Sequence, residues 1–271
     1  MSSNAPVAVF DSGIGGLTVV SALRRVLPGE HVVYLGDTAR VPYGGKSRET
    51  IERYSAEIAD LLVGEGAKMI VVACNSASAL GLPRLRATLA VPVEGVIAPG
   101  VQAALAATRS GHVAVIGTKA TIGSRAYEEG LHGARPGIRV TSLACPLLVP
   151  LIEEGLLEDP VTDAVLERYL APLRGSDADT LVLGCTHYPL LAAAIARVAG
   201  PGITLVDSAA NCAAAVVRLL DERGLRATAE VGGSLRLGFT DPPDRFLQVA
   251  GRALGLETAE FSLRAVPPLG Q

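Results

Sequence analysis

The chain contains no tryptophan, and its six tyrosines and four phenylalanines bring aromatic residues to only 4% of 271 residues. The absence of tryptophan, a net charge of −3 and the lack of a basic cluster give little encouragement to nucleic-acid binding. No nucleic-acid partner is expected. Apolar runs stop at strand length, well short of the ~20 residues a membrane-spanning helix needs. Met1 to Pro6 offers no basic region followed by an apolar stretch, so the sequence predicts a cytoplasmic protein without a membrane partner. Cysteine is scarce and scattered, at positions 74, 145, 185 and 212, with no Cys-x-x-Cys pair. That pattern argues against a disulfide framework and a zinc site, and no metal is expected.

Hydrophobic residues make up 49% and charged residues 19%, the balance of a globular protein with an Ala, Val and Leu core. The length suits one large or two modest α/β domains. Strands are predicted at Val7 to Phe10, His31 to Leu35, Lys68 to Ala73, Val93 to Ile97, His112 to Ile116, Ile138 to Leu143, Thr180 to Leu183 and Ile203 to Val206. Helical patterns lie between most of them. Leu17 to Leu27 is stopped by Pro28-Gly29, and Ser47 is a candidate N-cap for a helix reaching Val63. Strict β/α alternation implies mainly parallel sheets with helices on both faces. Ile97-Ala-Pro-Gly reads as a break, after which the pattern restarts at His112, so two sheets are expected. From Asp207 the tail predicts a helix, a strand near Leu235 to Phe239 and one more helix, packed back onto the first half. The expected fold is therefore α/β, with two similar doubly wound domains related by pseudo-symmetry and a cleft between them. Residues 1–98 plus 208–271 would form the first domain and 99–207 the second.

Two of the cysteines share one local setting. Cys74 closes Met69-Ile-Val-Val-Ala-Cys-Asn-Ser, and Cys185 closes Thr180-Leu-Val-Leu-Gly-Cys-Thr-His. Each is an apolar run that breaks at a small residue, then Cys, then two polar residues. Val7-Ala-Val-Phe-Asp-Ser-Gly begins 67 residues before the first thiol and Val113-Ala-Val-Ile-Gly-Thr-Lys 72 before the second. Strand, polar loop and strand-Cys thus occur twice in similar register. Ligands bind at the carboxyl ends of strands in open α/β sheets, so a cleft between two such halves would receive one thiol from each side.

The glycine-rich turn Asp11-Ser-Gly-Ile-Gly-Gly-Leu-Thr comes after a strand and opens a helix, and Asp37 ends the next strand, which imitates a dinucleotide fingerprint. Thr18 stands where the third glycine is required, however, and Asp11-Ser12 puts an anionic group where pyrophosphate would approach. No nucleotide cofactor is expected. Backbone N–H groups at the helix start could instead hold a small carboxylate.

Taken together, Asp11-Ser-Gly-Ile-Gly-Gly, Asp37-Thr-Ala-Arg-Val-Pro-Tyr-Gly, Cys74-Asn-Ser-Ala-Ser and Gly184-Cys-Thr-His-Tyr-Pro resemble glutamate racemase, with the blocks in order from Val7 to Leu220. The resemblance implies cofactor-independent interconversion of L- and D-glutamate, supplying D-glutamate for peptidoglycan in the cell wall. It implies Cys74 and Cys185 as the two acid/base groups, and substrate contacts from Asp11, Ser12, Tyr43, Gly44, Asn75, Ser76, Thr186 and His187. One departure is Ser76, where the family more often has Thr. Aspartate racemases resemble the chain less, tending to carry His at the position of Ser78 and Glu at that of His187. Some relatives with a longer N-terminal extension depend on a cell-wall precursor as activator, and with few residues before Val7 no such dependence is expected. The reading also admits a homodimer.

The chemistry supports these residues independently. Inverting an α-carbon requires removing a proton from one face and returning one to the other, which two bases do without rotating the intermediate. A free thiol titrates near ~8.5, so a modest environmental push leaves one thiolate and one thiol. His187 and Asp11 are candidates to assist proton movement at the sulfurs. Donors from Ser12, Gly44, Asn75, Ser76 and Thr186 would surround the carboxylates. Each residue also has a plainer role available. Cys145 and Cys212 read as small buried hydrophobes. Asp11 could cap its helix, Asp37 reads as the cap of a turn, and Thr118, Thr121 and Glu153 could be capping residues or touch substrate. Alternative functions are another two-cysteine isomerase acting on aspartate or a hydantoin, or a binding protein of the same fold. A cysteine hydrolase would leave the second motif unexplained.

Overall fold

A run of Val, Ile and Ala with no polar face must be covered on both sides, which makes it a central strand of a parallel sheet. In the computed structural model, which describes residues 2–242 and 260–267, the runs do this. In chain order the elements are β1 (Val7–Asp11), α1 (Leu17–Val26), β2 (Val32–Gly36), α2 (Arg48–Gly64), β3 (Met69–Val72), α3 (Asn75–Leu80), α4 (Leu82–Thr88) and β4 (Val93–Gly95). The second half continues with α5 (Ile97–Ala107), β5 (His112–Gly117), α6 (Lys119–Gly123), α7 (Ala126–Ala134), β6 (Arg139–Ala144), α8 (Leu148–Glu153), α9 (Pro160–Leu170), β7 (Thr180–Gly184), α10 (Ala192–Ala199) and β8 (Thr204–Asp207). The tail adds α11 (Ser208–Glu222), β9 (Leu235–Phe239) and β10 (Glu260–Leu263).

The first sheet runs β10-β9-β2-β1-β3-β4 and the second β6-β5-β7-β8. Every pairing among the described residues is parallel. In both sheets the first strand is flanked by the next two, β1 by β2 and β3, and β5 by β6 and β7. The chain therefore reverses its winding between β1 and β3 and again between β5 and β7, and such switch points open a crevice at the carboxyl ends. The architecture is two doubly wound parallel sheets of the same winding.

One hydrophobic cluster runs through both halves. It joins Val9, Tyr34 and Val71 of the first sheet to Ile116, Leu181 and Leu183 of the second through Leu17, Val20, Ala213 and Val216 of α1 and α11. The outer face of the first sheet is covered by α2, α3 and α4, and that of the second by α5 and α7. Among the described residues no helix is long and apolar enough to cross a membrane.

Two sequence expectations are corrected. Ile97-Ala-Pro-Gly is not a break but the first turn of α5. Proline lacks only an N–H that a first helical turn leaves unpaired anyway, so Pro99 opens the helix without harm. The expected division at residues 98/99 thus falls inside α5, which packs with Ile97, Val101 and Ala104 against Val113, Val115 and Val182 of the second sheet. Strand β10 has no counterpart among the expected strands, and the further helix expected in the tail lies outside the described residues.

Lys68, at the start of the strand that leads to Cys74, is fully buried, with its ammonium 2.5 Å from Glu30 and bonded to the Ser3 carbonyl. Glu30 also accepts from the Ala227 amide at 2.6 Å. One ion pair therefore ties the start of the chain, the approach to β2, the approach to β3 and the connection from α11 to β9. Lys68→Ala would leave the Glu30 carboxylate buried without its cation, at an expected cost of about 3–5 kcal/mol. Urea denaturation would read this, and a midpoint equal to the parent's would show that the pair contributes nothing. Lys68→Met combined with Glu30→Gln should recover part of the loss.

Candidate active site

Because β1 pairs with β3 in the register Phe10↔Val72, Ser12 and Cys74 leave the first sheet side by side. Because β5 pairs with β7 in the register Gly117↔Gly184, Thr118 and Cys185 leave the second sheet in the same relation. A cleft of about 260 Å³ opens between these ends. Ser12, Tyr43, Gly44, Cys74, Asn75 and Ser76 line it from the first sheet and Cys185, Thr186 and His187 from the second. Of the residues expected from the sequence, only Asp11 is not on the cleft surface. It is fully buried, and its carboxylate accepts from the Gly13 and Gly16 amides at 3.2 and 3.1 Å and from the Thr186 hydroxyl at 3.4 Å.

The glycine turn has a packing cause. A Cβ on Gly15 would lie 2.5 Å from both the His187 Nδ1 and the Thr186 Oγ1, and one on Gly16 would lie 2.6 Å from the Asp11 Cβ. The turn is bare because the end of β7 lies on it.

Cys74 occupies the N-cap position of α3, with its sulfur 3.6 Å from the Ser12 hydroxyl. Burial, reinforced by the Asp11 carboxylate, pushes its thiol up to about 12, so it is a thiol at neutral pH. The Cys185 sulfur is 4.0 Å from His187 Nδ1, and His187 Nε2 lies 3.2 Å from Glu153 without the alignment of a hydrogen bond. Burial opposes a charge on His187, but Cys185 first, then Glu153 and Asp11, outweigh it and raise the imidazole to about 10. The two sulfurs therefore stand in unequal surroundings, one beside a carboxylate and one beside an imidazolium.

The rest of the wall is built of hydroxyls and amides. Ser76 meets Thr118 at 2.9 Å and Thr121 at 3.4 Å, and Thr118 also caps α6 by accepting from the Thr121 amide at 3.1 Å. Thr118 and Glu153, which by sequence alone could be caps or substrate contacts, both line the cleft, and Thr118 both caps and lines. A signal for Thr118 exists, since Val113-Ala-Val-Ile-Gly-Thr repeats Val7-Ala-Val-Phe-Asp-Ser and sets Thr118 in the place of Ser12. Lys119 and the apolar trio Pro146, Val149 and Pro150 also line the cleft without any sequence signal of their own. Asp37 is not a turn cap. Its side chain makes no capping bond and instead accepts from Tyr43 Oη, Arg40 Nε at 2.7 Å and Thr240 Oγ1 at 3.0 Å, because a fully buried carboxylate needs strong donors. It thereby anchors Tyr43, whose loop brings Gly44 against Thr118 across the cleft. Cys145 and Cys212 are buried. Among the described residues no group of three or more His, Cys, Asp or Glu could hold a metal ion.

Two parallel α/β sheets that each deliver a thiol to one cleft define a class of two-lobed enzymes with paired cysteines. Residues 17–216 match the Asp/Glu/Hydantoin racemase family profile. A curated glutamate racemase of Geobacter metallireducens is 49% identical over 92% of each chain. The crystal structure of a glutamate racemase isoform from Bacillus anthracis superposes with a TM-score of 0.91 at 38% identity, covering 98% of each chain. That of glutamate racemase from Francisella tularensis in complex with D-glutamate gives 0.90 at 37% identity, covering 97% of this chain and 98% of the other. The chain belongs to the Asp/Glu/Hydantoin racemase family.

The raised imidazole sets a pH dependence. A group whose folded pKa lies above its unfolded value stabilises the fold fully below the unfolded value and loses that contribution as pH rises through the folded one. For His187 the contribution is complete below 6.5 and declines until it is gone above about 10. NMR titration of the His187 ring should show an imidazolium at pH 8, and Cys185→Ala should lower its midpoint. A neutral ring at pH 8 would contradict the arrangement.

Proposed function

We propose that the chain interconverts L- and D-glutamate by a cofactor-independent, two-base proton transfer, with Cys74 and Cys185 as the two acid/base groups. The observation that carries this reading is the pair of thiols, one from each switch point, in a single cleft. One sulfur, as thiolate, takes the α-proton from one face of the substrate, and the other, as thiol, delivers a proton to the opposite face. The reverse reaction exchanges their roles. Burial of Cys74 suits this division, because the same environment that keeps the thiol protonated makes its thiolate a stronger base toward a weakly acidic C–H. His187 beside Cys185 can hold or pass a proton at that sulfur. Asp11 acts on Cys74 through its charge and on Thr186 through a hydrogen bond. Ser12, Tyr43, Gly44, Asn75, Ser76 and Thr186 supply donors for the two substrate carboxylates, and donors fixed in place before the reaction stabilise the charge that grows as the proton leaves. The family relatives named above, one of them bound to D-glutamate, support glutamate as the substrate, and the D-glutamate formed would enter peptidoglycan. The division of the chain into 1–98 plus 208–271 and 99–207, adjusted to include all of α5 in the second part, belongs to the same reading.

Chiral analysis of L-glutamate, and separately L-aspartate, after incubation with the pure chain and no cofactor tests the substrate. Turnover of aspartate alone would sink the assignment. Cys74→Ala and Cys185→Ala should each lower racemisation by about 10²–10⁴ with circular dichroism unchanged, whereas Cys145→Ala and Cys212→Ala should affect stability at most. In deuterium oxide, D-glutamate formed early from L-glutamate should carry deuterium at the α-carbon while the remaining L-glutamate stays protiated. Early labelling of the L pool, or an unlabelled D product, would show that the two sulfurs do not divide the work.

A further inference from the structure

Tyr127 lies on α7 of the second half and is 2% exposed, with its ring in the cluster of Ile97, Val101, Val115 and Val182. It does not line the cleft. Its hydroxyl nevertheless crosses to the first half and donates to Asn75 Oδ1 at 2.8 Å. Asn75 does line the cleft, is also 2% exposed, and its Nδ2 has no hydrogen-bond partner. A buried amide donor left unpaired costs free energy until something accepts from it.

We infer that Tyr127 is a positioning residue, whose hydroxyl fixes the side-chain amide of Asn75 with the NH₂ group turned toward a substrate carboxylate. An amide can be reversed about its last torsion, which exchanges acceptor for donor at nearly the same shape. In the reversed state Nδ2 would donate to the tyrosine oxygen, the phenolic proton would lose its acceptor, and Oδ1 would face the negative charge of the ligand. The single proton of Tyr127 decides between these states, because Asn75 is the one acceptor its hydroxyl has among the described residues. That proton is secure, since burial holds the phenol well above its ordinary range. The ring is fixed in turn: a Cβ on Gly100 would stand 3.1 Å from both its Cε1 and its hydroxyl oxygen, and one on Gly184 3.3 Å from its Cε2. Because α3 carries the amide and α7 the hydroxyl, the donor is correctly aimed only when the two halves are in register.

The inference rests on glutamate as the ligand, and a double-mutant cycle with two readouts separates the two. Racemisation of glutamate and calorimetric binding of D-glutamate are measured for the parent, Tyr127→Phe, Asn75→Ala and the double variant. Phenylalanine keeps the ring in its pocket but leaves the buried Asn75 Oδ1 without its donor, so the melting temperature should fall by about a few degrees, while kcat/KM and affinity should each fall roughly tenfold, the scale of one hydrogen bond. In the double variant the loss should equal that of Asn75→Ala alone. Parent-like values for Tyr127→Phe, or a double variant whose loss is the product of the two single losses, would overturn the inference. So would a lowered melting temperature with binding unchanged, which is the mark of a structural role only. A parent chain that binds D-glutamate without turning it over would fail the functional reading alone, and the binding cycle would still decide the role of Tyr127. A parent that does neither overturns both.

Discussion

The architecture of the cleft depends on one close approach, the packing of the Thr186-His187 end of β7 on the bare backbone at Gly15. Side-chain-free backbone lets the carboxyl ends of two sheets touch, and the contact holds together groups of opposite tendency. Asp11 binds the turn's own amides and the Thr186 hydroxyl, while Gly15 lies under the imidazole. The hydrophobic cluster shared through α1 and α11 buries apolar surface between the halves. It has no directional preference, however. The polar contacts at Thr186, Ser76, Thr118 and Tyr127 select one relative placement from the many that burial would accept.

Two copies of one winding do not make two equal sites. The repeat gives each half a small hydroxyl residue beside a cysteine, Ser12 with Cys74 and Thr118 with Cys185. The strand ahead of the hydroxyl then ends in Asp11 in one half and in Gly117 in the other. The second residue after each thiol differs too, being Ser76 in one half and His187 in the other. These differences put a carboxylate behind one sulfur and an imidazole beside the other, and Glu153 helps to hold that imidazole charged. Symmetry of fold places the sulfurs, and asymmetry of a few neighbours makes their surroundings unequal.

Much of this was legible because parallel strands are written as apolar runs and each switch point is marked by the polar residues directly after the run. The doubled Val-Ala-Val and strand-Cys blocks pointed to the sheets, the cleft and the two thiols, while the other expected contact residues came from the resemblance to glutamate racemase. The parts that stayed hidden belong to tertiary contact. Nothing local in Ile97-Ala-Pro-Gly tells a helix start from a break, because proline suits both. Asp37 reads as a turn residue by type, and only the arrival of Tyr43, Arg40 and Thr240 from three places makes it an anchor. Pro146, Val149 and Pro150 reach the cleft because the chain after β6 passes over it, which no periodicity records. Glu153 ends the same helix at 39% side-chain exposure, a surface acid by pattern that becomes a neighbour of His187 by position.

The glycine turn shows how a motif can be read correctly in shape and wrongly in purpose. Glycines between a strand and a helix are needed wherever another group must approach the backbone closely, and a phosphate is only one such group. Here the space is filled from within the chain, by Thr186 and His187. The Gly13 and Gly16 amides of the turn are engaged by Asp11, so the turn holds a negative charge of its own. That internal carboxylate raises the neighbouring thiol, which an external phosphate could not do reliably, since it would come and go with the ligand. Asp11, the residue that departs from the nucleotide fingerprint, thus adds to the basicity that burial gives Cys74.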